Sequence, residues 1–189
     1  MRRVGIYPGT FDPVHAGHIS FAKAALASGL DEVILIPEAD PRYKTNVTEL
    51  RHRAAMLRQA TEPHERLALQ TLRSSRFTIA ETLPELQQLF PGAELSFLLG
   101  SDVARTLPQW EGLDQLGNTR FVIGMRRTDN TDDVAAIASH MRSQYQVELT
   151  LLPAGPATSH AASSTIRSGD RSQLPAEILP YITLHNLYR

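Results

Sequence analysis

The chain has 189 residues, 42% of them hydrophobic and 21% charged, which is the profile of a soluble globular protein large enough to bury a core. Its formal net charge of −1 excludes a general electrostatic attraction to nucleic acid or to an anionic membrane, so any anion must be held by a local cluster of groups. It has no cysteine, which excludes disulfides, thiolate metal sites and cysteine nucleophiles.

No signal-peptide pattern precedes the first turn, and no apolar run approaches the roughly 18 residues of a membrane span. The sequence therefore predicts a cytoplasmic protein with neither a nucleic-acid partner nor a membrane partner. Nothing in it specifies an oligomeric state.

Short apolar runs alternate with segments of helical periodicity along the whole chain. We predict strands over residues 4–7, 32–36, 67–70, 95–99, 120–124 and 147–151, and helices over 17–28, 48–60, 78–90 and 132–143. The four consecutive apolar residues 33–36 are typical of a strand that is covered on both faces. Gly29 stands just past the first predicted helix, and residues 78–81 form a capping-box pattern at the start of the third.

This alternation predicts the α/β fold class, as a doubly wound, mostly parallel sheet in a single domain over residues 1–189. The polar stretch 128–133 and the small-residue stretch 154–164 are predicted surface loops. Ligands of such sheets bind beyond the carboxyl ends of the strands, and the unusual residues of this sequence directly follow predicted strands.

The first predicted strand runs into the segment PGTFDPVHAGH, residues 8–18. His15 and His18 are three residues apart at a helix start, so both rings can point the same way. Gly17 between them lets a ligand approach the backbone, and the helix N-terminus adds unpaired N–H groups. The whole segment predicts a site for a phosphate chain, although either histidine alone could be an ordinary surface residue.

Residues 161–169, AASSTIRSG, form a second candidate phosphate site. Ser163 and Ser164 could cap a short helix and donate hydroxyls to phosphate oxygens, and Arg167 offers a bidentate fork for the same anion. By itself, a capped helix with an arginine is more often structural than functional.

The predicted strand over 95–99 ends in Gly100-Ser101-Asp102. A carboxylate there could accept hydrogen bonds from ribose hydroxyls, and the glycine lets a sugar pass close to the backbone. Asp102 could equally cap the following helix, and the two roles are compatible. Trp110, the only tryptophan, could be a core residue or could stack on a planar ring.

The segments GTFDP and HAGH resemble the signature of the nucleotidyltransferase superfamily with the HxGH motif, and residues 163–167 resemble its second motif. The strand end at 98–102, the LPQW segment at 107–110, FTIAETL at 77–83 and the ending over 181–188 resemble the bacterial nicotinate-nucleotide adenylyltransferases. This resemblance runs over nearly the whole chain. It implies a Rossmann-like fold and transfer of AMP from ATP to nicotinate mononucleotide, for NAD biosynthesis, with Mg²⁺ arriving with ATP.

The resemblance also implies roles for individual residues, with no residue assigned as a metal ligand. The expected catalytic residues are His15, His18, Lys44 and Arg167. The expected ATP-binding residues are Gly9, Thr10, Phe11, Gly17, Gly100, Asp102, Ser163 and Ser164. The expected acceptor-binding residues are Thr78, Thr82 and Trp110.

Three departures from the family pattern concern the acceptor rather than the phosphate chemistry. Tyr43 stands where the family usually has histidine, Glu111 stands where tyrosine is common, and the threonine segment is one residue longer. Glu111 keeps nicotinamide mononucleotide open as the acceptor. Phosphopantetheine adenylyltransferases usually carry T-x-G-H and lack the Gly-x-Asp…Trp segment, so His15 and Trp110 argue against that alternative. A catalytically idle nucleotide-binding protein on the same fold is a further alternative, although such proteins tend to lose the histidines or the late arginine.

Overall fold

The computed structural model describes residues 1–42, 44–117, 119–153, 155 and 163–188. Within these residues, six strands form one sheet with helices on both faces. The strands are β1 (Arg3–Gly9), β2 (Glu32–Pro37), β3 (Leu67–Leu69), β4 (Glu94–Gly100), β5 (Arg120–Gly124) and β6 (Glu148–Leu152). The helices are α1 (Ala16–Ala27), α2 (Leu50–Thr61), α3 (Ile79–Leu89), α4 (Ser101–Ala104), α5 (Thr131–Tyr145), α6 (Ser163–Arg167) and α7 (Leu179–Leu184).

The sheet has the strand order β3-β2-β1-β4-β5-β6, and all of its neighbouring strands are parallel. The strand order reverses between β1 and β4, which opens a crevice above their carboxyl ends. The predicted doubly wound α/β fold is confirmed. The crevice is where such a fold binds its ligand, and both β1 and β4 end there in a glycine, Gly9 and Gly100.

The predicted strands and helices all occur, with ends within two residues of the predicted ones. The prediction of a loop over 128–133 is wrong in its second half, because Asn130 caps α5 by accepting the N–H of Asp132 at 3.0 Å and the helix begins at Thr131. Helices α4 and α7 were not predicted, since segments this short carry no clear periodicity. Of the predicted loop over 154–164, residues 154 and 156–162 lie outside the described part of the chain.

Successive residues of each central strand pack into two different cores. On one face, Val33 and Leu35 of β2 pack with α1, α2 and the C-terminal segment. On the other face, Ile34 and Ile36 pack with residues of α3, α5 and the segment between β4 and β5. The apolar run 33–36 is therefore covered on both faces as predicted, because side chains alternate along a strand.

Helix α1 lies close against the sheet because β5 ends in a glycine. A Cβ built on Gly124 would lie 2.9 Å from Cε2 of Phe21, so only glycine leaves room for that ring. This contact sets how closely the start of α1 approaches the crevice. In the described part of the chain, no helix is long and apolar enough to span a membrane.

Candidate active site

The two histidines cap helix α1 reciprocally. The backbone N–H of His18 donates to Nδ1 of His15 at 3.3 Å, and the backbone N–H of His15 donates to Nδ1 of His18 at 3.2 Å. Their rings are stacked, with centroids 3.6 Å apart. Because each Nδ1 accepts a hydrogen bond, each neutral ring carries its proton on Nε2. The arrangement therefore provides two parallel Nε2–H donors, which is more specific than the sequence prediction that both rings point the same way.

Both imidazoles are neutral at pH 7 in the protein without ligand. Burial, with a smaller effect of the Arg126 charge, lowers the pKa of His15 to about 4. Burial also lowers the pKa of His18 well below its usual value, and the nearby His15 and Lys44 act in the same direction. The pair therefore offers hydrogen-bond donors rather than two fixed positive charges.

The segment before the helix, residues 9–15, is called here the histidine loop. Phe11 turns it with a left-handed backbone (φ 49°), and its buried ring lies edge-on to Tyr7 at 5.3 Å and to His18 at 4.9 Å. A Cβ on Gly9 would lie 3.0 Å from Cζ of that ring, so Gly9 gives the ring its space. Phe11 can therefore reach a ligand only through its backbone, whereas Thr10 beside it is half-buried.

The second motif packs directly on the histidine loop. Nη1 of Arg167 donates to the carbonyl oxygen of Asp12 at 2.7 Å, and Oγ of Ser163 donates to that of Pro13 at 3.1 Å. Buried Ile166 anchors α6, while Ser164 and Arg167 are exposed. Two motifs about 150 residues apart in sequence therefore meet at one edge of the sheet. The position before Ser163, where a cap would stand, lies outside the described residues.

The end of β4 presents a carboxylate at the same edge. Gly100, not Asp102, is the N-cap of α4, so the expectation that Asp102 caps this helix is wrong. Asp102 lies in the first turn, is exposed, and accepts from Nη2 of Arg126 at 2.9 Å. A Cβ on Gly100 would lie 2.6 Å from Oδ1 of Asp102, so this carboxylate position requires glycine.

Two further cations border the histidine pair. Lys44 is exposed after β2, and its charge reaches His18. Arg126 follows β5, and its charge reaches His15. Sequence reasoning missed Arg126. Because the carboxyl ends of parallel strands share one edge, the arginine pair that closely follows β5 could have been predicted to lie at the same edge as the histidines.

The expected acceptor-binding residues lie around the start of α3 and the segment after α4. Thr78 caps α3 by accepting the N–H of Glu81 at 3.3 Å, which confirms its predicted capping role. Thr82 is fully buried and accepts the N–H of Thr78 at 3.0 Å, so its hydroxyl supports the turn from inside. Trp110 is half-buried, with its Nε1–H on Thr106 and its ring near Phe77. Contact of these residues with an acceptor stays a prediction.

Of the two single-residue departures from the family pattern, the structure describes one. Glu111 is exposed directly after Trp110. Tyr43 lies outside the described residues.

Arg53 is a buried residue that sequence reasoning missed. It is 1% exposed and donates to four main-chain carbonyl oxygens. These belong to Thr48 (2.7 Å), Thr10 (2.7 Å), Glu38 (2.9 Å) and Ala39 (3.4 Å). The signal was available, since Arg53 shares a helix face with the apolar Met56 and Leu57, and arginine is rarely fully buried without partners.

The comparisons with known proteins identify the family of the chain. The cytidylyltransferase-like family model matches residues 6–169. A nicotinate-nucleotide adenylyltransferase of Bacillus subtilis is 32% identical over 186 residues, which cover 95% of this chain and 91% of that protein. A probable nicotinate-nucleotide adenylyltransferase of Saccharopolyspora erythraea is 31% identical, covering 100% of this chain and 90% of that protein.

A solved structure shows the same fold. Plasmodium falciparum nicotinic acid mononucleotide adenylyltransferase, complexed with NaAD, superposes with a TM-score of 0.77 at 21% identity, covering 100% of this chain and 98% of that one. The family model covers most of the chain, and the relatives above 30% identity align over nearly all of it. The chain therefore belongs to the cytidylyltransferase-like family of nucleotidyltransferases and, within it, to the nicotinate-nucleotide adenylyltransferases.

Proposed function

We propose that this chain transfers AMP from ATP to nicotinate mononucleotide, giving nicotinate adenine dinucleotide and pyrophosphate, as a cytoplasmic step of NAD biosynthesis. The observation that carries the proposal is the reciprocal capping of His15 and His18, which occupies both Nδ1 atoms and places two Nε2–H donors at the helix N-terminus that follows the crevice end of β1. The relatives supply the identity of the substrates.

The reaction needs no protein nucleophile. The acceptor phosphate has its second pKa at about 6 and is ionised at neutral pH. One of its oxygens attacks the α-phosphorus of ATP in line, a new P–O bond forms, and the bond from the α-phosphorus to the bridging oxygen breaks as pyrophosphate leaves. Catalysis is then positioning and stabilisation of the developing charge.

The residues of the two motifs would hold the triphosphate. His18 and His15 donate to oxygens of the α-phosphate, where charge develops in the transition state. Lys44 balances the charge as two anions approach each other. Arg167 donates to the β- and γ-phosphates with the part of its guanidinium that faces away from Asp12, helped by the exposed hydroxyl of Ser164. The hydroxyl of Ser163, predicted to do the same, already donates its proton to the carbonyl of Pro13 and supports the loop.

The remaining predicted contacts divide between nucleoside and acceptor. Asp102 accepts from the ribose hydroxyls of ATP, and Gly100 keeps the sugar close to the strand end. The backbone at 9–11 and at Gly17, together with the side chain of Thr10, borders the phosphates. Trp110 stacks on the pyridine ring from its exposed side. Thr78 contacts the acceptor directly, whereas buried Thr82 acts by holding the Thr78 backbone.

Mg²⁺ would arrive with ATP. In the described part of the chain, no group of three or more histidine, aspartate or glutamate side chains could hold a metal ion. Mg²⁺ is commonly bound through substrate phosphates and water with few protein ligands, so the phosphates of ATP and water would hold such an ion. Its contribution would be to neutralise charge on the triphosphate.

Pyrophosphate release with ATP and each candidate acceptor tests the proposal. We expect the highest kcat/KM with nicotinate mononucleotide and none above background with phosphopantetheine. Release that does not depend on any acceptor, or no release at all, would refute the transferase function.

The exposed Glu111 beside Trp110 favours one second candidate, transfer to nicotinamide mononucleotide. A carboxylate there would repel the acid form of the pyridine and tolerate the amide. Glu111→Gln should raise kcat/KM for the acid relative to the amide if this side chain borders the ring. An unchanged ratio would remove Glu111 from the site.

A further inference from the structure

The carboxylate of Asp12 is buried in the middle of the histidine loop and is held from two distant parts of the chain. Asp12 is 3% exposed. Its Oδ1 accepts from the hydroxyl of Tyr188 at 2.6 Å, and its Oδ2 accepts from the backbone N–H of Thr48 at 3.2 Å. A buried carboxylate requires such donors, because without them its desolvation is not compensated.

We propose that Tyr188 is a positioning residue that fixes the histidine loop through Asp12. This proposal rests on the proposed function, because the geometry it fixes is that of the phosphate donors. Tyr188 contacts the carboxylate rather than the expected substrate positions. It acts on the reaction by keeping the backbone between Phe11 and His15 in place.

The loop needs such support because its backbone is strained. Phe11 has a left-handed φ of 49°, a conformation that non-glycine residues keep only where their surroundings hold it. Tyr188 itself has a φ of 54°, so the chain end also adopts an unfavourable conformation to place this hydroxyl. The nearby Leu187 fixes that end by donating its N–H to the carbonyl of Ile182 at 3.0 Å.

The hydroxyl remains a donor across the physiological pH range. Burial and the hydrogen bond to Asp12 raise the pKa of Tyr188 above its usual value. Phenylalanine at this position would keep the ring and remove only the donor. The Asp12 carboxylate would then turn toward other donors and displace the loop. A shift of about 1 Å at a reacting group can cost roughly a hundredfold in rate.

Tyr181 offers a matched control. It is half-buried in the same C-terminal segment, and its hydroxyl is also hydrogen-bonded, to Nδ1 of His52 in α2 at 2.9 Å. Tyr181→Phe therefore removes a comparable bond between the C-terminal segment and the body of the protein, but at α2 instead of the histidine loop.

The first measurement is the steady-state kinetics of both variants with ATP and nicotinate mononucleotide. We expect Tyr188→Phe to lower kcat about ten- to a hundredfold with KM for the acceptor nearly unchanged, and Tyr181→Phe to stay within about twofold. Both variants should melt within a few degrees of each other. Equal losses of kcat in the two variants, or a normal kcat in Tyr188→Phe, would overturn the positioning role.

A second variant and a spectroscopic readout separate this proposal from the proposed function. In Asp12→Asn, adding Tyr188→Phe should lower kcat much less than it does in the wild-type background, because both changes act through one contact. The side-chain ¹⁵N resonances of His15 and His18 should shift in Tyr188→Phe and stay in place in Tyr181→Phe. That comparison requires no turnover. Absence of transferase activity in the wild-type chain would refute the proposed function alone. Histidine resonances that do not shift in Tyr188→Phe would refute the positioning role of Tyr188 alone.

Discussion

Replacing Arg53 by methionine tests whether the buried guanidinium holds the fold around the histidine loop. Arg53 makes three hydrogen bonds of 2.7–2.9 Å to main-chain carbonyls and a longer one of 3.4 Å. Methionine fills a similar volume but leaves these carbonyls without their donor. Three bonds from a charged group are worth about 1.5–3 kcal/mol each, and release of the desolvation penalty of the buried charge offsets part of this.

The net loss in the free energy of unfolding is taken from the typical cost of removing one member of a buried charged group. Such changes cost about 3–5 kcal/mol, a large part of a total stability of about 5–15 kcal/mol. With an m-value of about 2 kcal/mol per M in urea, the midpoint of unfolding should fall by about 2 M.

Equilibrium urea unfolding followed by circular dichroism measures this loss. Arg51→Met is the matched control, because Arg51 lies one half-turn away on the same helix and its side chain is 72% exposed, with an ion pair to Glu49. We expect that variant to stay within about 0.5 kcal/mol of the wild type. If Arg53→Met lost no more stability than Arg51→Met, the four carbonyl contacts would not stabilise the fold around the histidine loop and the reasoning would be wrong.

The remaining predictions concern the histidine pair and the end of β4. The pKa of His15 is about 4 in the fold against an ordinary 6.5, so the unfolded chain binds the proton more readily between these values. The contribution of neutral His15 to the free energy of unfolding is therefore fully present above pH 6.5 and falls by about 3 kcal/mol toward pH 4. His15→Asn keeps a capping acceptor but does not titrate in this range, so it should flatten the pH profile of stability measured by urea titrations. His18→Asn likewise keeps an acceptor for the cap but removes the Nε2–H donor, so kcat should fall about 10²–10³-fold in a folded protein; near-normal turnover would remove His18 from catalysis. Gly100→Ala should raise KM for ATP about tenfold, because its Cβ would displace the Asp102 carboxylate. Gly117→Ala should leave KM unchanged, because apart from its neighbours in sequence its added Cβ would meet no atom of the described residues within 4 Å.

The parts of the fold that could be predicted are those encoded by local patterns. Residues 33–36 are apolar at four successive positions, and this alone indicates a strand with a core on each face. The spacing of His15 and His18 next to Gly17 likewise places both rings at one helix start. These inferences require no knowledge of which distant segment packs where.

The contacts that hold the site could not be predicted because they join segments far apart in sequence. Tyr188 bonds Asp12 across 176 residues, and Arg53 bonds the carbonyl of Thr10 across 43. No periodicity or spacing relates such positions. The prediction that Asp102 could cap its helix failed for a local reason, since β4 continues to Gly100 and the helix begins two residues earlier than that role requires.

These long-range contacts also support the proposal that the crevice binds a phosphate chain. The carbonyl oxygens of Thr10, Asp12 and Pro13 accept from Arg53, Arg167 and Ser163, so these three acceptors of the histidine loop are bonded to the protein itself. The Nδ1 atoms of both histidines are likewise occupied by backbone N–H groups, which leaves their Nε2–H donors for a ligand. A phosphate bound as proposed would meet donors instead of carbonyl dipoles. We therefore expect stability and phosphate binding to be coupled at this loop, so that a variant that frees one of its carbonyls weakens both.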